Sequence, residues 1–152
     1  MSNVNANMWL LLNFSSTWAM VGLIWLIQIV HYPLFLKVGE RQFKEYSEDH
    51  QRLITYVVLP LMLVELGTAV VLWFSRPHGI SNASVIAGLA LVLLIWGSTF
   101  LIQVPQHSKL LVGYDPEICR QLVFGNWIRT IAWSLRGLVT AWMVWSVMSG
   151  EP

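Results

Sequence analysis

Four apolar runs, each long enough to cross a lipid bilayer as a helix, dominate this sequence. A helix needs about 20 apolar residues to span the hydrocarbon core, and it satisfies its own backbone hydrogen bonds there. The runs cover residues 8–30, 53–74, 84–104 and 127–148. Only 11% of the residues are charged, against about 25% in soluble domains. The sequence therefore predicts an all-α, polytopic membrane protein in which four transmembrane helices form an up-down bundle, as a single domain over residues 1–152.

The charge and the cysteine count exclude several classes of protein. The net charge is +1 and the basic residues are not clustered, so nucleic acid is not an expected partner. A single cysteine, Cys119, leaves no disulfide framework and no CxxC motif. The stretch MSNVNANMW contains no Lys or Arg, unlike a secretory signal, so we expect the first apolar run to be retained. The expected partners are the lipid bilayer and, as an open alternative, further copies of the same chain.

The basic residues are distributed unequally between the two sides of the predicted bundle. Arg76 alone lies on the side of both termini. Seven others lie on the opposite side: Lys37, Arg41, Lys44, Arg52, Lys109, Arg120 and Arg129. Because Lys and Arg flank membrane helices on the cytoplasmic side, we predict both termini outside and both long loops, 31–52 and 105–126, in the cytoplasm. We expect a multi-pass protein of the cell inner membrane.

Both long loops are predicted to contain helices. Asp115, Pro116 and Glu117 form an N-cap, a proline at the first helical position and an acid in the first turn. A helix that begins there is expected to continue into the fourth run. In the first loop, apolar residues alternate with charges, which predicts an amphipathic helix at the membrane interface before the second run.

Two segments of the chain resemble each other. GLIWLIQ at 22–28 aligns with GSTFLIQ at 97–103, so that Gln28 aligns with Gln103 at an offset of 75 residues. We predict a two-span unit used twice in parallel, and such proteins have their sites at the repeat interface. Gln28 and Gln103 would lie one turn inside the cytoplasmic face, near Asn126 and Arg129. These four residues are the candidate substrate-binding residues.

Two opposite charges lie inside the apolar runs. Glu65 is twelve residues after Leu53, about 18 Å along a helix axis, and Arg136 is nine residues after Trp127, about 14 Å. An unpaired charge at this depth costs about 2.5–3.5 kcal/mol, so we predict that the two side chains form an ion pair. The fourth run carries one polar stripe, expected to face inward, at residues 3 or 4 apart: Asn126, Arg129, Trp133, Arg136 and Thr140.

Three histidines are predicted to lie near one depth on the cytoplasmic side: His31, His50 and His107. Grouped imidazoles can hold a haem or a transition metal or transfer protons. No pair has the close spacing of a helical metal motif, and histidine is also common at a membrane interface, so both interpretations stay open. The candidate cofactor-binding residues are these three, and the candidate catalytic residues are the same three with Glu65 and Arg136.

Four stretches, QIVHYPLF, VVLPLMLVEL, QVPQHSKLLVG and NWIRTIAWSLRG, carry a resemblance to known proteins. Together they resemble an uncharacterised family of small bacterial four-span integral membrane proteins over residues 22–137, and NWIRT is the most specific part. The chain is more weakly similar to the anthrone-oxygenase-like domain of unknown function, also a small four-span protein. That similarity implies oxygenase or redox chemistry on an aromatic substrate, and it transfers no catalytic residues.

Three classes of function fit these features. The first is a redox or oxygenase-like protein with a polar site at the cytoplasmic mouth of the bundle, where Arg129 and Asn126 hold an anionic or carbonyl group. The second is a structural or assembly subunit of a membrane complex, whose polar groups only satisfy each other. The third is a small oligomeric transporter that uses the Glu65–Arg136 pair. The sequence contains no nucleophile triad, phosphate loop or metalloprotease motif.

Overall fold

The computed structural model describes residues 3–150 and is helical throughout apart from short turns. The bounds of the six α-helices are α1 Asn3–Leu26, α2 Tyr32–Phe35, α3 Glu40–Phe74, α4 Asn82–Ser98, α5 Val104–Leu110 and α6 Pro116–Ser149. Five-residue π-helical segments, Ile27–His31 and Thr99–Gln103, join α1 to α2 and α4 to α5. The prediction of an all-α protein with four membrane-length helices is confirmed. The four candidate spans are Val4–Phe35, Glu40–Phe74, Asn82–Leu110 and Pro116–Ser149.

The four long helices α1, α3, α4 and α6 form an up-down bundle. Each contacts two neighbours, in the order α1–α3–α4–α6 and back to α1. We call the end with the two long connections the loop end and the opposite end the terminal end. The contact between α3 and α4 is the least extensive of the four, and the bundle has its lateral cavity there. Exposed leucine, isoleucine, valine and tryptophan side chains cover the outer surface, as a hydrocarbon solvent requires.

The helices extend beyond the apolar runs at the loop end. Helix α3 contains 35 residues, about 52 Å at 1.5 Å per residue, whereas the hydrocarbon core is about 30 Å thick. The predicted amphipathic helix is the first part of α3 and leads into the apolar run as expected, because no helix breaker separates Glu40 from that run. Phe43 is fully buried there, and it packs with Phe35 and Leu122 in a core of the loop end.

The predicted start of α6 is confirmed. Asp115 has an extended backbone, and its carboxylate accepts hydrogen bonds from the backbone N–H groups of Glu117 at 2.8 Å and Ile118 at 3.1 Å. Pro116 occupies the first turn, where a missing N–H costs nothing. The helix then continues without interruption through the fourth apolar run.

The two π-helical segments occupy comparable places in the two halves of the chain. Each follows a long helix that begins at the terminal end, and each precedes a short helix with a proline in its first turn, Pro33 in α2 and Pro105 in α5. Gln28 lies in the first segment and Gln103 in the second. The same order of elements agrees with the predicted repeat. Both segments direct a glutamine side chain into the bundle, where each is almost fully buried.

Candidate functional site

Most of the predicted site residues lie in two polar clusters inside the bundle, and His31 and His50 lie outside both. The Glu65 cluster lies toward the terminal end and consists of Asn13, Thr17, Glu65, Thr68 and Arg136. The Arg129 cluster lies toward the loop end and consists of Gln28, Tyr32, Thr99, Gln103, His107, Asn126, Arg129 and Thr130. Trp133 connects them. Its Nε1–H donates to Glu65 at 3.0 Å, and its ring centroid lies 6.0 Å from the Arg129 guanidinium carbon.

The Glu65 carboxylate is buried and fully bonded. Its Oε1 accepts hydrogen bonds from Arg136 Nε at 2.7 Å and from the Thr17 hydroxyl at 2.8 Å, and Trp133 donates to the other oxygen. The predicted ion pair between Glu65 and Arg136 is therefore confirmed. Both side chains are at most 1% exposed, which suits a pair held in a medium where an isolated charge is costly.

The two terminal nitrogens of Arg136 also donate hydrogen bonds. Its Nη1 donates to the carbonyl oxygen of Gly88, and its Nη2 donates to Asn13 Oδ1 at 3.3 Å. The Asn13 amide in turn donates to Thr68 Oγ1 at 2.7 Å and to the Glu65 carbonyl at 3.0 Å. The cluster joins α1, α3, α4 and α6 and leaves little bonding capacity for a ligand. Its geometry is that of a structural element.

Arg129 differs, because all its hydrogen-bond partners are neutral. Its Nε and Nη2 donate to Asn126 Oδ1 at 3.0 and 2.6 Å. Nη2 also donates to the Tyr32 hydroxyl at 3.3 Å and to Gln103 Oε1 at 3.4 Å. Nη1 donates to Thr99 at 3.5 Å. Within residues 3–150 no carboxylate forms an ion pair with Arg129, which is only 7% exposed.

The Gln28 side chain orients Asn126 toward the guanidinium. Gln28 Oε1 accepts from Asn126 Nδ2 at 2.8 Å and from the Thr130 hydroxyl at 3.3 Å, while Gln28 Nε2 donates to the Val123 carbonyl at 3.2 Å. With its amide nitrogen bonded to Gln28, Asn126 presents its oxygen to Arg129. Of the four predicted substrate-binding residues, Gln28 and Asn126 thus hold Arg129 in place. Arg129 and Gln103 line the cavity described next.

A cavity of about 270 Å³ lies beside the Arg129 cluster, between α3 and the α4–α5 unit. Its walls are mainly apolar side chains, among them Val58, Met62, Trp96 and Phe100. Its polar surface is formed by Tyr32, Thr99, Gln103, His107 and Arg129. An apolar cavity with a few convergent polar groups is typical of small-molecule sites. The exposed lining residues are Thr55 and Leu59 on α3, Phe100 on the second π-helical segment and Val104 on α5, so the cavity opens on the outer face of the bundle between these elements.

The structure brings the three predicted histidines together in a row. His31 Nε2 and His50 Nδ1 are 2.8 Å apart and share a hydrogen bond. The rings of His50 and His107 have centroids 5.6 Å apart. His107 Nε2 lies 3.0 Å from the Tyr32 hydroxyl. The row therefore leads from the partly exposed His31 to the polar surface of the cavity.

The histidine row does not surround a common point. The described part of the chain contains no group of three or more His, Cys, Asp or Glu side chains arranged to hold a metal ion. His78, in the connection between α3 and α4, is exposed at the terminal end and belongs to neither cluster. The arrangement suits proton transfer, because His31 and His50 share a hydrogen bond through ring nitrogens and His107 is hydrogen-bonded to Tyr32.

Six residues of the two clusters were not predicted: Asn13, Thr17, Tyr32, Thr68, Thr99 and Thr130. Tyr32 directly follows His31, and π-helical geometry turns it inward, where it is 3% exposed. Nothing in the sequence indicates that geometry. For Asn13 and Thr17 a signal was present, because polar side chains inside an apolar run favour the bundle interior.

No family model, curated protein sequence or solved structure matches this chain.

Proposed function

We propose that this protein binds a lipid-borne molecule with an acidic oxygen, such as a carboxylic acid or a phenol, and exchanges a proton with it. The observation that carries the proposal is the buried Arg129 guanidinium at the polar end of an apolar cavity, without a carboxylate partner among the described residues. A buried charge without a counter-charge is costly. An anionic head group would supply the missing charge.

The chemistry of the polar surface supports an oxygen-bearing head group. The guanidinium and the Gln103 amide offer donors, and Tyr32 and His107 offer a hydroxyl and an imidazole within bonding distance of each other. Such a set holds an ionised oxygen by charge-assisted hydrogen bonds. The Tyr32–His107 pair can take up or return the proton of that oxygen, as a general acid or base does.

The apolar walls of the cavity are evidence for a ligand that arrives through the bilayer. Val58, Met62 and Phe100 would contact an aromatic or alkyl body, while the head reaches Arg129 through the opening of the cavity. Burial of that body supplies binding free energy at about 25 cal/mol per Å² of apolar surface. Substrate access within the membrane avoids transfer of the ligand through water.

Within this proposal the protein is a membrane enzyme of redox or oxygenase-like class that acts on a lipid-soluble aromatic molecule. The same proposal includes membership of the small four-span bacterial family. It also places the protein in the cell inner membrane with the loop end in the cytoplasm. The seven basic residues at or near the loop end support that orientation. Because the charges of Glu65 and Arg136 are already paired with each other, the Glu65 cluster gives less support to the alternative of a transporter.

Photo-crosslinking tests the site. The protein in lipid nanodiscs is illuminated with diazirine-tailed probes that carry a carboxylic acid, a phenol or a methyl ester, and labelled peptides are mapped by mass spectrometry. We expect the acid or the phenol to label cavity residues of α3 and α4, and the ester to label them far less. A comparison of the amount of labelling by the acid with that by the phenol identifies which class of head group the site binds.

Two variants complete the experiment. Arg129→Gln should abolish the preference for an acidic head, and Arg41→Gln, at an exposed arginine of the loop end, should retain it. Uniform labelling of the lipid-facing surface by all three probes, unchanged in Arg129→Gln, would contradict the proposal. That result would favour a structural or assembly subunit of a membrane complex.

A further inference from the structure

Two buried histidine nitrogens lack hydrogen-bond partners among the described residues: His50 Nε2 and His107 Nδ1. Buried polar atoms are almost always bonded, so an unbonded pair calls for an explanation. The two atoms belong to neighbouring rings in the histidine row, whose planes are inclined by only 32°. A water molecule that bonds to both nitrogens is the usual way to satisfy such atoms.

The hydrogen bonds around Tyr32 favour one direction of donors along the row. Arginine has only donors, so the Tyr32 oxygen accepts from Arg129 and its own proton is available for His107 Nε2. In the tautomer that accepts this proton, His107 carries its own proton on Nδ1, the atom without a partner among the described residues. If His107 donates this Nδ1 proton through a water molecule to His50 Nε2, then His50 carries its own proton on Nδ1. His50 donates that proton to His31 Nε2.

The resulting order of donors is continuous from the cavity to the surface. Each imidazole accepts on Nε2 and donates from Nδ1, so a proton that enters one side of a ring releases another from the opposite side. The last ring, His31, is partly exposed and lines a surface groove with Tyr46 and Asp49.

The surroundings keep the row intact. Phe35 is fully buried, and its ring centroid lies 5.2 Å from that of His31 and 5.1 Å from that of His50, so it excludes solvent from one side. Gln51 donates to the His107 carbonyl at 3.0 Å and to Ser47 at 3.2 Å. This contact fixes α3 against α5 and therefore His50 against His107.

We infer that His107, His50 and His31 form a proton path between the cavity and the loop-end surface. The inference rests on the proposed function, because a site that exchanges protons with a lipid-borne ligand needs a connection to water. The nearby charged groups do not interrupt the path. Arg129 adjoins only its inner end, and the Asp49 carboxylate, beside its outer end, is bonded to Arg52 at 2.6 Å.

Nuclear magnetic resonance of ¹⁵N-histidine-labelled protein in nanodiscs tests the path without a ligand. Single histidine variants assign the ring signals, and solvent saturation transfer measures how fast water protons reach the His107 ring. We expect His31→Phe to slow this exchange by about tenfold or more, since each added 1.36 kcal/mol of barrier is tenfold in rate. His78→Phe, at the terminal end, should leave it unchanged.

Further variants separate the path from its alternatives. Val58→Phe narrows the opening of the cavity. If His107 loses exchange with water in this variant but exchanges normally in His31→Phe, water reaches His107 from the cavity. That result would overturn the inference. Stoichiometric metal bound by His31 and His50 would also overturn it. If acidic probes fail to bind but exchange at His107 still depends on His31, the proposed function fails and the path stands.

Discussion

Arg129 and Arg136 lie seven residues apart on one face of α6, yet only Arg136 contacts a carboxylate among the described residues. The separation is about two helical turns, or 10 Å. Arg136 is bonded to Glu65 on α3 and to polar groups on two further helices, Gly88 on α4 and Asn13 on α1. Arg129 is bonded to neutral oxygens and lines the cavity. Arg136 is therefore held in an ion pair inside the bundle, whereas Arg129 is the arginine that we propose binds a ligand.

The first prediction concerns the stability of the Glu65–Arg136 pair. Glu65→Gln leaves the Arg136 charge buried and unpaired, which should lower the free energy of unfolding by about 3–5 kcal/mol. Unfolding of detergent-solubilised protein, followed by circular dichroism, measures the change. The double variant Glu65→Gln with Arg136→Met should recover most of the loss, and Glu48→Gln, in an exposed pair, should have no measurable effect. Normal stability of Glu65→Gln would refute the structural role.

The second prediction concerns the stability of Arg129→Gln. This substitution removes hydrogen bonds to Asn126 but also removes a buried charge without a carboxylate partner. The two effects oppose each other, so we expect a change of within about 1 kcal/mol in the free energy of unfolding. The same denaturation assay provides the measurement. A loss as large as that of Glu65→Gln would mean that Arg129 is itself a structural residue.

The third prediction concerns the contact of α6 with the second π-helical segment. A Cβ at Gly125 would lie 3.0 Å from Ile102 Cγ2 and 3.2 Å from Gln103 Nε2. Gly125→Ala should therefore push Gln103 away from Arg129 and destabilise the protein by about 1–3 kcal/mol. The control is Gly97→Ala, where a Cβ meets nothing within 4 Å and helix propensity favours alanine. Equal stability of the two variants would contradict the close contact.

The fourth prediction concerns Gln28 as a positioning residue. Gln28→Leu removes the acceptor that orients the Asn126 amide, so Arg129 loses its fixed partner. The affinity for an acidic probe should fall by about 5–10-fold, which corresponds to one hydrogen bond of about 1–1.5 kcal/mol. Fluorescence titration in nanodiscs checks this. Gln121→Leu, at an exposed glutamine of α6, is the matched control, and identical affinities would remove Gln28 from the site.

The sequence predicted the parts of the fold that depend on composition and local chemistry. The length of the apolar runs predicted the four spans, and the N-cap at Asp115 predicted the start of α6. The polar stripe of α6 faces inward as predicted, since its five residues are all buried. The Glu65–Arg136 pair was predictable because a charge in hydrocarbon requires a partner and only one was available at that depth.

The arrangement of the site was less predictable. The π-helical segments rotate the side chains that follow them, so α-helical spacing does not give the direction of Tyr32 or His107. The cavity depends on the loose contact between α3 and α4, which is a property of packing and not of either helix. Sequence reasoning grouped the three histidines correctly but left their order, and hence the row, undetermined.

The most direct test of the central claim is the affinity of the purified protein for two matched pairs of ligands, measured by isothermal titration calorimetry in nanodiscs. One pair is a long-chain carboxylic acid and its methyl ester, and the other is an alkylphenol and its methyl ether. We predict that in at least one pair the free acid binds about tenfold or more tightly, and that Arg129→Gln removes this preference. Equal affinities within both pairs in the wild-type protein, or a preference that survives in Arg129→Gln, would contradict the account.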